Sequence, residues 1–322
     1  MKRFDRALSA VLPAVLPALP RRAVGLVASR YIAGERLDQA VALVGELAAA
    51  GKTSTIDVLG EESRNPAEVA ATVAEYRAAL AALAAAGLPS GISVKPTAVG
   101  LLVDAALCRA SFEELARVAA AHGRFLRIDM EGSATIDATL DLYSGLRAAG
   151  HDNVGIVLQA RLRRTLADIE ALAPLKPDVR LCKGIYVEPP ELAFQDGAAV
   201  RAAYVRALEE LLRAGSRVAL ATHDEWLLRE SLRLVAAAGL GRDGYEVQML
   251  LGVREERAAQ LVAEGHRLRV YVPYGERWYE YSLRRLQENP VMAAQIAGDT
   301  AGRVLGAVAA RSGLSARTSR RR

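Results

Sequence analysis

From residue 53 onward, short β-branched or apolar runs alternate with long stretches rich in Ala, Leu and Arg. The runs are TSTIDVLG (53–60), GISVKPT (91–97), RFLRIDME (124–131), NVGIVLQA (153–160), DVRLCKG (178–184), RVALATH (217–223), YEVQMLLG (245–252) and RLRVYVPY (267–274). Each is long enough for a strand, and each intervening stretch is long enough for a helix and two loops. Gly or Asp closes most helical stretches, as in AAHG and LRAG, where a left-handed residue ends a helix. Eight strand–helix units over about 240 residues predict an α/β fold, a (β/α)8 TIM barrel, ahead of a doubly wound sheet. Residues 1–50 read as an N-terminal helical segment packed on the barrel, 51–295 as the barrel, and 296–322 as a C-terminal helix with a basic disordered tail.

A last helical stretch, YEYSLRRLQENP (279–290), carries charge in register. Tyr281, Arg284, Arg285 and Glu288 follow the i, i+3, i+4, i+7 spacing of one helix face, and Tyr279, Leu283 and Leu286 form the other. The pattern fits either a solvated face backed onto a core or a charge clamp for a small anion.

Composition narrows the setting. Of 322 residues, 52% are hydrophobic, so a large core is available. The formal net charge is +5, and the last twelve residues hold five arginines and no acid. The body is therefore close to neutral, which argues against a nucleic-acid-binding surface. Two cysteines, Cys108 in a predicted helix and Cys182 in a predicted strand, suggest a reducing compartment. His122, His151 and His266 stand in turn-like sequence beside Gly or Asp and read as surface residues. No CxxC or HExxH motif points to a metal. The start, MKRFDRALSAVLPAVLPALP, resembles a signal peptide in charge and hydropathy, but Pro13, Pro17, Pro20 and Asp5 interrupt it, so export is not expected. No apolar run is long enough to span a membrane. GLGRDG (239–244) matches GxGxxG but follows a helix and precedes a strand, the reverse of a dinucleotide turn.

Barrel enzymes carry their chemistry at the C-terminal ends of strands. Here those ends and interiors bear Lys95, Asp129, Glu131, Gln159, Arg180, Lys183, Gly184, Thr222, His223, Asp224, Glu246, Gln248 and Tyr271, within otherwise apolar runs. Unpartnered polar groups are costly to bury, so their convergence suggests a bound polar ligand. Lys183, Arg180 and His223 suit phosphates, with Gly184 admitting a close backbone approach. Gln159 and Gln248 donate and accept, as a flavin or nucleotide edge requires. No Ser or Cys stands beside a His as a nucleophile pair. A phosphate-bearing redox cofactor fits better than hydrolysis.

The motifs SVKPT, RIDMEGS, VLQARLRRT, RLCKGIYVEP, ATHDE, YEVQMLLGVR and YVPYGERWYEYSLRRLQENP occur in this order. With YIAGERLDQAV near the start, they closely resemble proline dehydrogenases over roughly residues 25–290, in the stand-alone bacterial form. The resemblance implies FAD as cofactor, L-proline as substrate and Δ1-pyrroline-5-carboxylate as product. It implies hydride passage to flavin N5 and a membrane quinone as electron acceptor. Arg284 and Arg285 would hold the proline carboxylate, with Glu288 orienting them. Lys95, Asp129, Leu250, Tyr271 and Tyr281 would complete the substrate pocket, and Tyr271 would crowd a 4-hydroxyl. Gln159, Arg180, Lys183, Gly184, Tyr186, Thr222, His223 and Gln248 would hold FAD. Lys95 and Asp129 are expected to form an ion pair. Arg161 departs from the family pattern, which has an aromatic there.

A methylenetetrahydrofolate-reductase-like flavin barrel would not need the arginine clamp. A barrel that has lost catalysis would show broken clamp or flavin positions, and none is broken. The cytoplasm is the expected location, and the first helical segment and the Arg-rich tail are the candidates for a peripheral contact with the inner face of the cell membrane. The oligomeric state is not legible.

Overall fold

The computed structural model describes residues 30–279 together with Gly25, Tyr281 and Ser282. Tyr31–Trp278 form one compact unit; Met1–Arg30 and Tyr279–Arg322 form another, in which Tyr281 and Ser282 are helical. The proposed C-terminal helix and tail, and residues 1–24 and 26–29, lie outside the described residues.

The larger unit is a closed barrel of eight parallel strands in chain order. The strands are β1 (Thr53–Val58), β2 (Ser90–Val94), β3 (Leu126–Ile128), β4 (Val154–Gln159), β5 (Asp178–Cys182), β6 (Arg217–Ala221), β7 (Tyr245–Leu250) and β8 (Leu268–Tyr274). Helix α1 (Leu37–Ala49) precedes β1 and packs beside β1 and β8. The connecting helices are α2 (Pro66–Ala85), α3 (Ala105–Ala121), α4 (Ile136–Ala148), α5 (Thr165–Leu172), α6 (Gly197–Arg213), α7 (Glu225–Ala237) and α8 (Glu255–Ala263). The barrel closes where β1 pairs with β8, Thr53 opposite Arg269 through Val58 opposite Tyr274. Seven strands fall within the predicted runs, and β2 begins one residue before its run, at Ser90. The shortest is β3, whose ladder covers three residues because β2 and β4 pair with it only there.

Local chemistry starts the helices. Asn65 accepts from the Glu68 N–H at 3.0 Å and is followed by Pro66, a residue suited to the first helical turn. Asp104, Asp196 and Asp224 cap α3, α6 and α7 in the same way. GLGRDG is the end of α7 and a turn: Gly239 has φ +73°, and β7 starts after it.

Side-chain alternation along the strands divides the barrel. Ile56, Ile92, Leu126, Ile156, Val179, Val218, Val247 and Val270 are buried in one apolar layer with the helices. The alternate positions carry polar groups. Arg127 bonds the Ile156 carbonyl at 3.0 Å and the Asp178 carboxylate at 2.5 Å. Arg269 bonds Glu246 at 2.8 Å and the Ser54 carbonyl at 2.7 Å. Burial acts to raise the Glu246 pKa, but Arg269 and Gln248 outweigh it and bring it to about 2. The interior is thus a paired polar layer rather than the stacked aliphatic filling usual in such barrels.

That layer needs space. A Cβ on Gly155 would meet Arg127 Nη1 at 2.4 Å and the Asp178 carbonyl oxygen at 2.7 Å. Gly155→Ala is therefore expected to lower stability by about 1–3 kcal/mol, the usual cost of overpacking. Urea denaturation measures this, and an unchanged midpoint would refute the packing account.

Candidate active site

The C-terminal mouth is built from strand ends whose polar side chains bond one another. Lys95 follows β2 and opens a short 3-10 turn, Pro96–Val99. Its ammonium lies 2.8 Å from both carboxylate oxygens of Asp57, on β1. The expected Lys95–Asp129 ion pair is corrected here: Lys95 pairs with Asp57, and Asp129 pairs with Arg180. Both β1 and β3 neighbour β2, but Asp129 is taken by Arg180, reaching across the interior from β5, and by Ser93 and Tyr271, while Asp57 turns both carboxylate oxygens to Lys95. Asp129 accepts from Arg180 Nη1 at 2.7 Å, Ser93 Oγ at 2.7 Å and Tyr271 Oη at 2.9 Å. Arg180 also donates from Nε to Gln248 at 2.6 Å, and its guanidinium stands 5.3 Å from the Tyr271 ring centroid. Gln248 in turn donates to Glu246 at 2.5 Å.

Charge states follow from these contacts. Burial disfavours the Lys95 ammonium, but the Asp57 and Asp129 carboxylates outweigh it and hold its pKa above the ordinary lysine value. Burial likewise acts against the Asp129 carboxylate. Arg180, Lys95 and the Ser93 and Tyr271 hydroxyls outweigh it, holding Asp129 below the ordinary range. Lys95 is thus a fixed cation and Asp129 a fixed anion at neutral pH; neither is poised as a general acid or base. The convergence of polar strand residues is also explained in part without a ligand, because Arg180, Gln248, Glu246 and Asp129 satisfy one another and Asp57 satisfies Lys95.

The rim is set by loops after β4, β5 and β6. Gly184 has φ +94°, and a Cβ there would meet Gln159 Oε1 at 2.7 Å and the Arg161 side chain at 3.0 Å. Gln159 donates to the Glu131 carbonyl at 2.8 Å, and Arg161 donates to the Tyr186 carbonyl at 2.9 Å. Arg161, the departure from the family pattern, thus holds the loop that carries Lys183, Gly184 and Tyr186. Lys183 approaches Asp224 at 3.3 Å, and Arg201 bonds the same carboxylate at 2.8 Å. Thr222 Oγ1 accepts from the Asp224 N–H at 3.1 Å. The next residue, His223, accepts at Nε2 from the Leu250 N–H at 3.0 Å, which leaves Nδ1 to carry the proton. Burial, with Arg254 and Lys183 nearby, lowers its pKa to about 4, so the ring is neutral at physiological pH.

The structure thus brings Asp129, Arg180, Gln248 and Tyr271 into one bonded cluster beside the Lys95–Asp57 pair, with Gln159, Gly184 and Tyr186 on a second and Lys183, Thr222, His223 and Leu250 on a third. Tyr281 is buried and belongs to the second compact unit. Arg284, Arg285 and Glu288 lie outside the described residues.

Three residues escaped the sequence reading. Asp57 is a fully buried acid within TIDVLG, and the criterion of a polar residue in an apolar strand would have found it. Glu188 accepts from the Ser133 N–H at 2.7 Å and its hydroxyl at 2.5 Å, tying the loop after β5 to the one after β3; nothing in its spacing signals this. His266 is not a surface residue: its side chain is 7% exposed and meets the Tyr245 hydroxyl at 2.7 Å. The turn sequence concealed a tertiary contact with the start of β7.

The sequence profile of the family described as proline dehydrogenase matches residues 40–297. Proline dehydrogenase of Deinococcus radiodurans is 37% identical over 280 residues, covering 86% of this chain and 90% of that protein. Proline dehydrogenase 1 of Bacillus subtilis strain 168 is 35% identical over 267 residues, covering 83% of this chain and 88% of that protein. Proline utilization A from Bdellovibrio bacteriovorus, solved after inactivation by N-propargylglycine, shares the fold with TM-score 0.77 at 24% identity. That match covers 82% of this chain and 32% of the solved one.

The His223 environment has a measurable consequence. Its folded pKa of about 4 lies below the ordinary 6.5, so the unfolded chain binds the proton more readily between these values. The stability it contributes is fully present above pH 6.5 and is lost as pH falls towards 4. The loss is at most about 3 kcal/mol, less for an imidazole that is only half-buried. Urea denaturation of the protein and of His223→Gln at pH 7 and 4.5 is expected to show a smaller pH dependence in the variant. Equal dependence would refute the account.

Proposed function

The chain belongs to the proline dehydrogenase family and is an oxidoreductase acting on proline; from that premise we propose that it binds FAD, oxidises L-proline to Δ1-pyrroline-5-carboxylate and passes the electrons to a membrane quinone. The family assignment displaces the methylenetetrahydrofolate-reductase-like and non-catalytic readings. The observation that carries the proposal is the bonded cluster at the barrel mouth, in which Tyr271 and Arg180 share the Asp129 carboxylate beside the Lys95–Asp57 pair.

The fit to FAD rests on the chain's own groups. Gly184 leaves backbone exposed where any side chain would collide with Gln159 and Arg161. Lys183 offers a cation, and neutral His223 offers an N–H whose tautomer is fixed by Leu250. Gln159, Arg180, Lys183, Gly184, Tyr186, Thr222, His223 and Gln248 are the residues proposed to hold it. When bound, FAD supplies a two-electron acceptor at flavin N5.

The protein's part is positioning and charge. Proline brings its own ring nitrogen, so the site requires orientation and a neutral amine more than a strong base. Lys95 supplies a permanent positive charge inside the mouth and does not take a proton from substrate. Arg284 and Arg285 are proposed to grip the substrate carboxylate, since two guanidiniums fix its direction as well as its charge. Glu288, one turn on, would orient them, and Tyr281, on the same helix face, would cover the ring. Tyr271 is held in place by Asp129, so its ring would present a fixed wall to substituents on proline, with Leu250 alongside. No helix among the described residues is long and apolar enough to cross a membrane. Access to a quinone is accordingly assigned to a peripheral contact made by the N-terminal segment or the basic tail.

Anaerobic addition of L-proline to the purified protein is expected to bleach its flavin absorbance, and D-proline is expected not to. A flavin-loaded protein that ignores L-proline would overturn the reaction proposed. Arg284→Ala is expected to lower kcat/KM for proline roughly a hundredfold by removing one charged contact, and a wild-type value would sink the clamp. In Tyr271→Ser the ratio of kcat/KM for 4-hydroxyproline over proline should rise about tenfold; an unchanged ratio would remove Tyr271 as the wall.

A further inference from the structure

At the opposite, N-terminal end of the barrel, a cavity of about 450 Å³ opens among the starts of the strands. Its lining is strongly basic: seven cationic side chains and three carboxylates. In barrels of this kind, that end ordinarily contributes stability, and the chemistry lies at the other mouth. A layer serving stability alone would balance its charges, and this one does not.

The three acids are already engaged. Glu246 is taken by Arg269 at 2.8 Å and Asp152 by Arg147 at 3.1 Å. Asp178 is shared, 2.5 Å from Arg127 and 3.4 Å from Arg217. Arg180 is paired above with Asp129. Three cations are left under-compensated. Arg217 has only the distant share of Asp178. Arg267 has Asp243 at 3.7 Å, a side chain 97% exposed, where water screens the attraction. Lys176 has no side-chain partner among the described residues, and its backbone is held at φ +44°, an uncommon conformation for lysine. Acceptors are short in the interior as well: the Nε–H groups of Arg127 and Arg147 find none.

These cations approach from different strands, before β5, at the start of β6 and before β8, around one concavity. Lys176 is exposed and Arg217 and Arg267 keep 46% and 39% of their side chains in solvent, so all three are open to a ligand from solution, and a cleft lined by one sign of charge attracts counter-ions. An anion with several oxygens would accept from more than one of them, and guanidinium forks match phosphate and carboxylate alike. The volume is in the range of small-ligand sites. We propose that the N-terminal end of the barrel is a binding site for a small multivalent oxyanion, whose charge is carried by phosphate or carboxylate groups.

The test uses the full chain saturated with FAD, so that phosphate-binding positions at the other mouth are filled. Inorganic pyrophosphate and citrate are titrated separately at constant ionic strength, with sodium chloride as control, and Tm is followed. A saturable rise of about 3 °C or more is expected. The Lys176→Glu/Arg267→Glu variant should lose that rise while keeping its turnover of proline. A rise with pyrophosphate alone supports a phosphate ligand, and one with citrate alone supports a polycarboxylate. No saturable rise with either probe, or an equal rise in the variant, would overturn the proposal.

Discussion

The contact between Arg180 and Asp129 governs the barrel interior. A guanidinium and a carboxylate placed inside a closed sheet are tolerable only as partners, because each alone would face several kcal/mol of desolvation. Their 2.7 Å bond fixes more than two charges. Arg180 reaches Gln248 with its second edge, Gln248 reaches Glu246, and Glu246 binds Arg269. A line of paired groups therefore runs from the working mouth to the far end. Asp129 is also the acceptor that orients Tyr271, so the geometry of a proposed substrate wall depends on the same carboxylate.

This interior separates two demands that an aliphatic barrel would merge. The helices gain their hydrophobic stabilisation from outward-facing Val, Ile and Leu side chains. The inward positions are then available for charge. Lys95 shows what that permits. Lys95 is buried, 5% exposed, and kept protonated by Asp57, so the mouth carries a permanent cation held by a fixed partner. An enzyme acting on a zwitterion needs such fixed charges more than it needs a titrating base. The excess positive charge at the far end lies outside that need, which is why a separate ligand is proposed there.

The fold was legible in the chain because its signals are local. Eight apolar runs spaced by helix-length stretches leave few architectures, and parallel pairing in sequence order follows once each connection is a helix. Candidate site residues were legible for a related reason: Arg180, Gln248 and Asp129 stand out as polar letters in buried strands. Their partners were not. Lys95 was matched to Asp129 on chemistry alone, whereas Arg180 reaches across the interior to take Asp129, and Lys95 pairs with Asp57. His266 sat in turn sequence and turned out to support Tyr245.

Sequence by itself determined where the eight strands lie, where most helices end, and which residue types gather at the C-terminal ends of the strands. Periodicity and capping act over a few residues, so they can be read along the chain. Tertiary structure alone decided who pairs with whom: Lys95 with Asp57, Arg180 with Asp129, His223 with the Leu250 backbone. It also decided that the bottom of the barrel holds more cations than carboxylates. Those outcomes depend on the register and closure of eight strands far apart in sequence, and the energy of a buried charge is set by the neighbours that closure brings to it.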